Sequence, residues 1–221
     1  MRLFILEEET RMGGVQHSTL NFAIGLQRNY PMVDLTVLIP REGPLNDSCS
    51  KRNIKFEFYK KELFYKTTYE FNNFKLRLPN ALGLLRNFFN LKKQTNHLVD
   101  LLLSRNPDVI LSKGMSSHVC AGMVASRLGI PCVWHIQDLV TSKYFGAYRF
   151  LFGFLTLKYA SGIIADGAEI SRALFKESKI KTRIVYNGIA VDDFFQPHLR
   201  EVLRRELNLK STDYVIGHVA R

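Results

Sequence analysis

Short apolar runs alternate with amphipathic segments from one end of this 221-residue chain to the other. That alternation is the pattern of strands and helices taking turns in a parallel sheet, and it restricts the fold class to α/β. Residues 2–6, 34–39, 54–59, 108–111, 130–136, 162–165, 183–186 and 214–219 read as strands. Helices are expected at 14–27, 44–52, 79–105, 116–128, 143–159, 168–176 and 199–207. In the first helix Val15, Phe22, Ile24 and Leu26 form a loose apolar side. Pro79 suits a first helical turn, and the stripe of Leu84, Leu85, Phe88, Leu91, Leu98, Val99 and Leu102 reads as the core face of the long helix behind it. Asn106-Pro107 ends that helix. The last strand has no helix after it, which predicts a first domain over 1–195 and a linker with the opening strand of a second over 196–221.

The segment 129–139, Gly-Ile-Pro-Cys-Val-Trp-His-Ile-Gln-Asp-Leu, puts three hydrogen-bonding groups within four residues at a strand end. Open α/β sheets keep their ligands outside the carboxyl ends of strands. His135 and Gln137 are two apart and project to one face, while Asp138 turns away unless the strand has ended. A satisfied core histidine, a surface glutamine and a helix-capping aspartate account for the same letters. A second stretch, Glu7 to Gly14, feeds a helix through paired glycines that let an anion approach free backbone N–H groups. It lacks the pattern of a P-loop or a dinucleotide fingerprint, and three glutamates stand nearby, so a plain tight turn also fits.

A net charge of +11 predicts an anionic partner. The excess is concentrated between Lys60 and Val99, where Lys or Arg at 60, 61, 66, 75, 77, 86, 92 and 93 face two acids, Glu62 and Glu70. Phe64, Tyr65, Tyr69, Phe71, Phe74, Phe88 and Phe89 lie among them. Rings beside cations suit an anionic membrane surface; in the plainer reading Phe88 and Phe89 belong to the core. No nucleic-acid recognition motif accompanies the charge. Cys49, Cys120 and Cys132 are odd in number and widely spaced, which predicts a reducing, cytoplasmic setting. The amino-terminal apolar run is too short for a signal core. No metal motif is present, and Asp192-Asp193 are adjacent rather than paired across one residue.

Several pieces, in order, resemble the amino-terminal domain of GT-B glycosyltransferases, and within them the retaining enzymes of family 4. They are Gly13-Gly14-Val15-Gln16 with Leu20 and Gly25-Leu26; Asn106-Pro107-Asp108-Val109-Ile110; Leu128-Gly129-Ile130-Pro131 with Gln137-Asp138; Gly162 to Ala165; Ile184 to Ile189 with Phe194; and 207–221. The resemblance implies a Rossmann-like doubly wound sheet on the acceptor side of a cleft. It implies transfer from a nucleotide-sugar donor to a glycan or lipid-linked acceptor in cell-surface polysaccharide or glycoconjugate synthesis, with no cofactor or metal. It places His135 or Gln137 at the transferred sugar or acceptor, has Asp138 orient the strand end, and assigns Gly13, Gly14, Gln16, Asn187 and Gly188 to the donor. The histidine of the family's His-Asp strand end aligns with Gln137, so either His135 substitutes for it or that role is absent. Ser161, Gly167 and Ala190 also depart from the pattern, and the paired glutamates that grip the donor belong to the second domain. The alternatives are a non-catalytic module docking on anionic lipid or a protein, and a GT-B sugar epimerase. The expected location is cytoplasmic, peripheral on the inner face of the membrane.

Overall fold

β-branched and aliphatic residues at both faces of Arg2–Leu6 and Asp34–Ile39 make strands that must be covered on two sides, and helices cover them. The computed structural model describes residues 1–71, 76–139, 147–174, 176–189, 191, 198–210 and 212–218. Its elements run β1 (Arg2–Leu6), α1 (Gly14–Asn29), β2 (Asp34–Ile39), α2 (Pro44–Lys51), β3 (Phe56–Phe58), β4 (Thr68–Phe71), β5 (Leu76–Pro79), α3 (Ala81–Leu103), β6 (Val109–Lys113), α4 (Met115–Leu128), β7 (Cys132–Ile136), α5 (Ala147–Tyr159), β8 (Gly162–Ala165), α6 (Ala168–Ala173), a 3₁₀ turn (Glu177–Lys181), β9 (Thr182–Ile184) and α7 (His198–Glu206). Two compact units contain them, Met1–Asn187 and Gly188–Arg221.

In the first unit seven parallel strands stand in the order β3-β2-β1-β6-β7-β8-β9. The order reverses between β1 and β6, so the crevice at their carboxyl ends is the topological switch point of a Rossmann-like sheet. Alternation along each strand fills both faces. Phe4, Leu6, Ile110, Trp134 and Ile163 join the core under α3, α4 and α5, and Leu3, Ile5, Val37 and Leu111 join the core under α1 and α2. Trp134 is fully buried, with its indole stacked on His118 at 5.1 Å and tilted against Phe152 at 5.6 Å. Gly129 caps α4 at φ 68°, a left-handed turn that hands the chain to β7. The three cysteines are buried and free.

Four expectations need correction. Residues 213–218 form no strand, although Tyr214 to Val219 reads as one by composition; apolar letters specify a strand only when a neighbour supplies the ladder. Pro79 closes β5, in an antiparallel hairpin with β4 that the reading missed, and Asn80 caps α3 by accepting from the Gly83 N–H at 2.8 Å. The buried side of α1 is Gln16, Thr19, Leu20 and Ala23, and Phe22 is exposed. Most consequentially, the apolar stripe of α3 divides: Leu98 and Leu102 are core, whereas Leu84, Leu85 and Phe88 are 48%, 54% and 59% exposed. Residues 143–146 of the expected aromatic helix, together with Phe74, Lys75, Ala190, Asp192, Asp193, Phe194 and Val219, lie outside the described residues, as do the side chains of Tyr69, Glu70, Phe71 and Arg77.

Candidate active site

Three consecutive glutamates leave β1 and go to three destinations. Glu7 is fully buried. Its carboxylate accepts from Thr19 Oγ1 and, at 3.1 Å, from Gln16 Nε2, while its carbonyl accepts from Tyr59 OH at 2.8 Å. Burial pushes the Glu7 carboxyl above its ordinary range, against the pull of Thr19 and of Lys113. Glu8 turns to α4, where its carboxylate accepts the Ser116 N–H at 3.0 Å. Gly114, at φ 93°, is required there, because a Cβ would meet Glu8 Oε2 at 2.5 Å. Glu9 pairs with Arg41 at 3.0 Å.

The strand ends across the switch point are joined by one chain of hydrogen bonds. Lys113, the last residue of β6 and fully buried, donates from Nζ to Ser18 Oγ at 2.9 Å. Ser18 donates to Asn187 Oδ1 at 2.7 Å, and Asn187 Nδ2 donates to Asp166 Oδ2 at 2.5 Å. Gln137 Nε2 reaches the same oxygen at 2.8 Å, and His135 Nε2 bonds Asp166 Oδ1. Burial lowers the Lys113 ammonium to about 8, although Glu7 and Asp166 hold it up. Burial, with Lys113 adding, also moves the His135 imidazole below its usual range, opposed by Asp166. The result is a site that sets a carboxylate beside an imidazole pushed toward its neutral form and a buried amine whose pKa lies at about 8.

His135 and Gln137 therefore meet at one carboxylate, with Asn187 beside them. Asp138 is exposed and takes no part in these bonds. Gln16 is a buttress, its amide donated to Glu7. Gly13 is the extended N-cap of α1, no side chain caps that helix, no acid occupies its first turn, and a Cβ on Gly14 would meet open space. Gly188 belongs to the second unit. Asp166, Lys113 and Ser18 escaped the sequence reading. Asp166 and Lys113 each carry a charge at the carboxyl end of an apolar run, a mark they share with solvated strand ends. Ser18 carries no such mark.

A separate cavity of about 510 Å³ is lined among others by Glu8, Glu9, Arg41, Lys61, Glu62 and Phe64. Its cations are engaged, Arg41 with Glu9 and Lys61 with the Glu8 carbonyl at 2.6 Å. A groove of carboxylates, hydrogen-bonded cations and a ring suits a ligand rich in hydroxyls. Among the described residues no group of three or more His, Cys, Asp or Glu is placed to hold a metal ion, and no helix is long and apolar enough to cross a membrane.

No family model matches the chain, and no curated protein sequence does. Solved structures do match. Anabaena HepE, in complex with UDP, superposes with a TM-score of 0.68 at 17% identity over 94% of this chain and 50% of HepE. The lipopolysaccharide outer core galactosyltransferase WaaB, in its apo form, gives 0.58 at 17% identity over 86% of this chain and 47% of its own. A UDP-N-acetylglucosamine 2-epimerase gives 0.56 at 16% identity over 85% and 48%. The chain thus spans about half the length of the structures it matches, and what it shares with them is the Rossmann-like fold of the amino-terminal half of GT-B glycosyltransferases.

Proposed function

We propose that this chain is the acceptor side of a retaining GT-B glycosyltransferase of family 4 type, which moves a sugar from a nucleotide-sugar to a glycan or lipid-linked acceptor in polysaccharide or glycoconjugate synthesis. The observation that carries the reading is the hydrogen-bonded cluster of Lys113, Ser18, Asn187, Asp166, His135 and Gln137 at the switch point of the sheet. Backbone N–H groups of the uncapped α1 terminus at Gly13 and Gly14 face developing phosphate charge on the leaving nucleotide. Gln137 and Asp138 contact the transferred sugar, and the polar cavity at Glu8, Glu9 and Glu62 takes acceptor hydroxyls. That the solved complexes of HepE hold UDP and UDP-glucose supports a uridine donor.

The same reading puts the protein peripherally on the inner face of the membrane. The exposed Leu84, Leu85, Phe88 and Phe89 of α3 adjoin Leu63, Phe64 and Tyr65, with Arg86 over the Tyr65 ring at 5.5 Å. Asn87 and Asn90 stitch this segment to the helix through bonds of 2.6–2.9 Å to the backbone of Leu63 and Tyr65. An apolar face of this extent rimmed by cations fits an anionic lipid surface.

Incubation of the full-length gene product with UDP- and GDP-sugars and a lipid-linked oligosaccharide is the test. The expected result is a glycoside with the donor's anomeric configuration. Release of no glycoside from any pair overturns the reading. The epimerase neighbour supports a second reading, in which a nucleotide-sugar changes configuration with no acceptor present.

A further inference from the structure

We infer that Asp166 is the positioning residue of the strand-end site, a carboxylate that orients His135, Gln137 and Asn187 together and thereby turns the amide oxygen of Gln137 toward a hydroxyl of the bound sugar. The kinetic part of this inference rests on the glycosyltransferase reading; the orientation itself does not. Every bond in the cluster runs the same way. Lys113 donates to Ser18, Ser18 to Asn187, and Asn187 to Asp166, where Gln137 and His135 also arrive. A carboxylate only accepts. Among the described residues Asp166 is the group on which these donors converge, and its place after β8 sets it beside β7, whose residues His135 and Ile136 pair with Ile164 and Ala165.

Two assignments follow that distance alone would leave open. The imidazole nitrogen facing Asp166 is Nε2, so the proton of neutral His135 sits there and Nδ1 is left without one. The amide group of Gln137 facing Asp166 is the NH₂, so Oε1 points away, and this buried oxygen has no donor among the described residues. An amide oxygen held in that state calls for an O–H donor, and a sugar ring supplies hydroxyls. Gln137 is then the residue that touches the ligand, and Asp166 acts through it. Asparagine at 166 keeps a single acceptor oxygen: turned to Gln137 and Asn187, it sets its NH₂ against His135 Nε2 and forces the Nδ1–H tautomer, and turned to His135, it makes Gln137 flip and withdraw Oε1.

The test has a spectroscopic and a kinetic arm. Long-range ¹H–¹⁵N spectra of the 221-residue chain, labelled at histidine, should show His135 as the Nε2–H tautomer at neutral pH. Asp166→Asn should lower the His135 titration midpoint, because the carboxylate that favours the imidazolium is gone, and Asp166→Glu should restore tautomer and midpoint. Gln137→Glu should raise the midpoint by adding a second carboxylate to a pocket that also holds Lys113 and His118. An Nδ1–H tautomer in the unmodified chain, or a His135 spectrum untouched by these changes, overturns the inference; if Asp166→Asn does not fold, the unmodified tautomer and Gln137→Glu still decide it. In the full-length gene product Asp166→Asn should lower kcat on the order of tenfold to a hundredfold, with partial recovery in Asp166→Glu. Unchanged kcat alongside a shifted His135 spectrum overturns the link to the site. An inactive unmodified enzyme refutes the glycosyltransferase reading alone, since the spectra need no turnover.

Discussion

Lys113 and Ser18 lie 95 residues apart in the chain and 2.9 Å apart in the fold, and their bond ties the centre of the sheet to the helix behind the glycine loop. It holds an amine with no exposed surface, and burial lowers that amine to about 8 from an ordinary 10.5. Between those two values the unfolded chain binds more protons than the folded one. The share of stability set by Lys113 therefore rises as pH climbs from about 8 to 10.5, by roughly 3 kcal/mol at about 1.4 kcal/mol per unit. Cys49, pushed up to about 11, and Cys132, pushed up to about 12, act in the opposite sense at alkaline pH. The readout is accordingly the difference between the unmodified chain and Lys113→Met in urea unfolding at pH 7.5 and 10. It should move by about 2 to 3 kcal/mol in favour of the unmodified chain. A difference independent of pH would mean that Lys113 is charged throughout.

Most of the scaffold was legible in the letters. The strand expected at 162–165 and the strand at 34–39 fall where the structure has them, because a short apolar run bounded by turn signals has few other uses. The site was half legible. His135 and Gln137 stand out as polar letters at a strand end, but the carboxylate they share is contributed by the next strand, and only the parallel register of β7 with β8 brings it there. Lys113 was invisible for a related reason: a lysine after an apolar run reads as a solvated strand end, and its burial depends on α1 closing over it through Ser18. For α3 the periodicity was right and the inference from it was wrong. Helical spacing shows that Leu84 and Phe88 lie toward the side of Leu98; it cannot show how far along the helix that side stays covered.

His118 should make the fold acid-sensitive. It is buried, its Nδ1 bonds Ser112 Oγ at 2.7 Å, its ring stacks on Trp134, and burial pushes it down to about 3 from 6.5, with His135 adding to the shift. The unfolded chain takes a proton at His118 as pH falls through 6.5, while the folded chain does not until about 3. Stability is therefore fully present above 6.5 and is lost progressively below it, by about 2 kcal/mol at pH 5. His135 contributes with the same sign, so His118→Phe should remove part of the pH 7 to pH 5 loss and not all of it. An identical loss in both proteins would show that other groups govern acid unfolding.

Gly122 lets two helices meet. A Cβ placed there would lie 2.5 Å from Tyr159 Cβ and 3.4 Å from Trp134 Cζ2, so α5 would have to shift off α4. In an exposed helix Gly→Ala adds up to about 1 kcal/mol. Here overpacking should outweigh that gain, and Gly122→Ala should lower stability by about 1 to 3 kcal/mol. Gly25, in the middle of α1, has nothing within reach of its added Cβ and serves as the control: Gly25→Ala should stabilise. Thermal unfolding of the two variants checks the pair, and a stabilised Gly122→Ala would mean that the α4–α5 interface is looser than the distances state.

The exposed half of α3 makes the last prediction. Its rings and aliphatic side chains stand out by about half of their surface, Phe88 at 59% and Phe89 at 58%, while Arg86 and Lys92 are exposed among them. Placed on an anionic bilayer, each exposed cation contributes on the order of 1 kcal/mol within a Debye length, and burying half a phenylalanine contributes about 1 kcal/mol more. The two contributions respond to different experiments. Salt should weaken binding to vesicles containing phosphatidylglycerol by screening the cations, and Arg86→Glu with Lys92→Glu should weaken it at low salt by about tenfold or more. Phe88→Ser with Phe89→Ser should weaken it at every salt concentration, leaving the salt slope unchanged. Co-sedimentation with vesicles of graded charge separates these cases. Equal binding to neutral vesicles, or no binding to either kind, would leave the face without its lipid partner and remove the membrane from the proposed function.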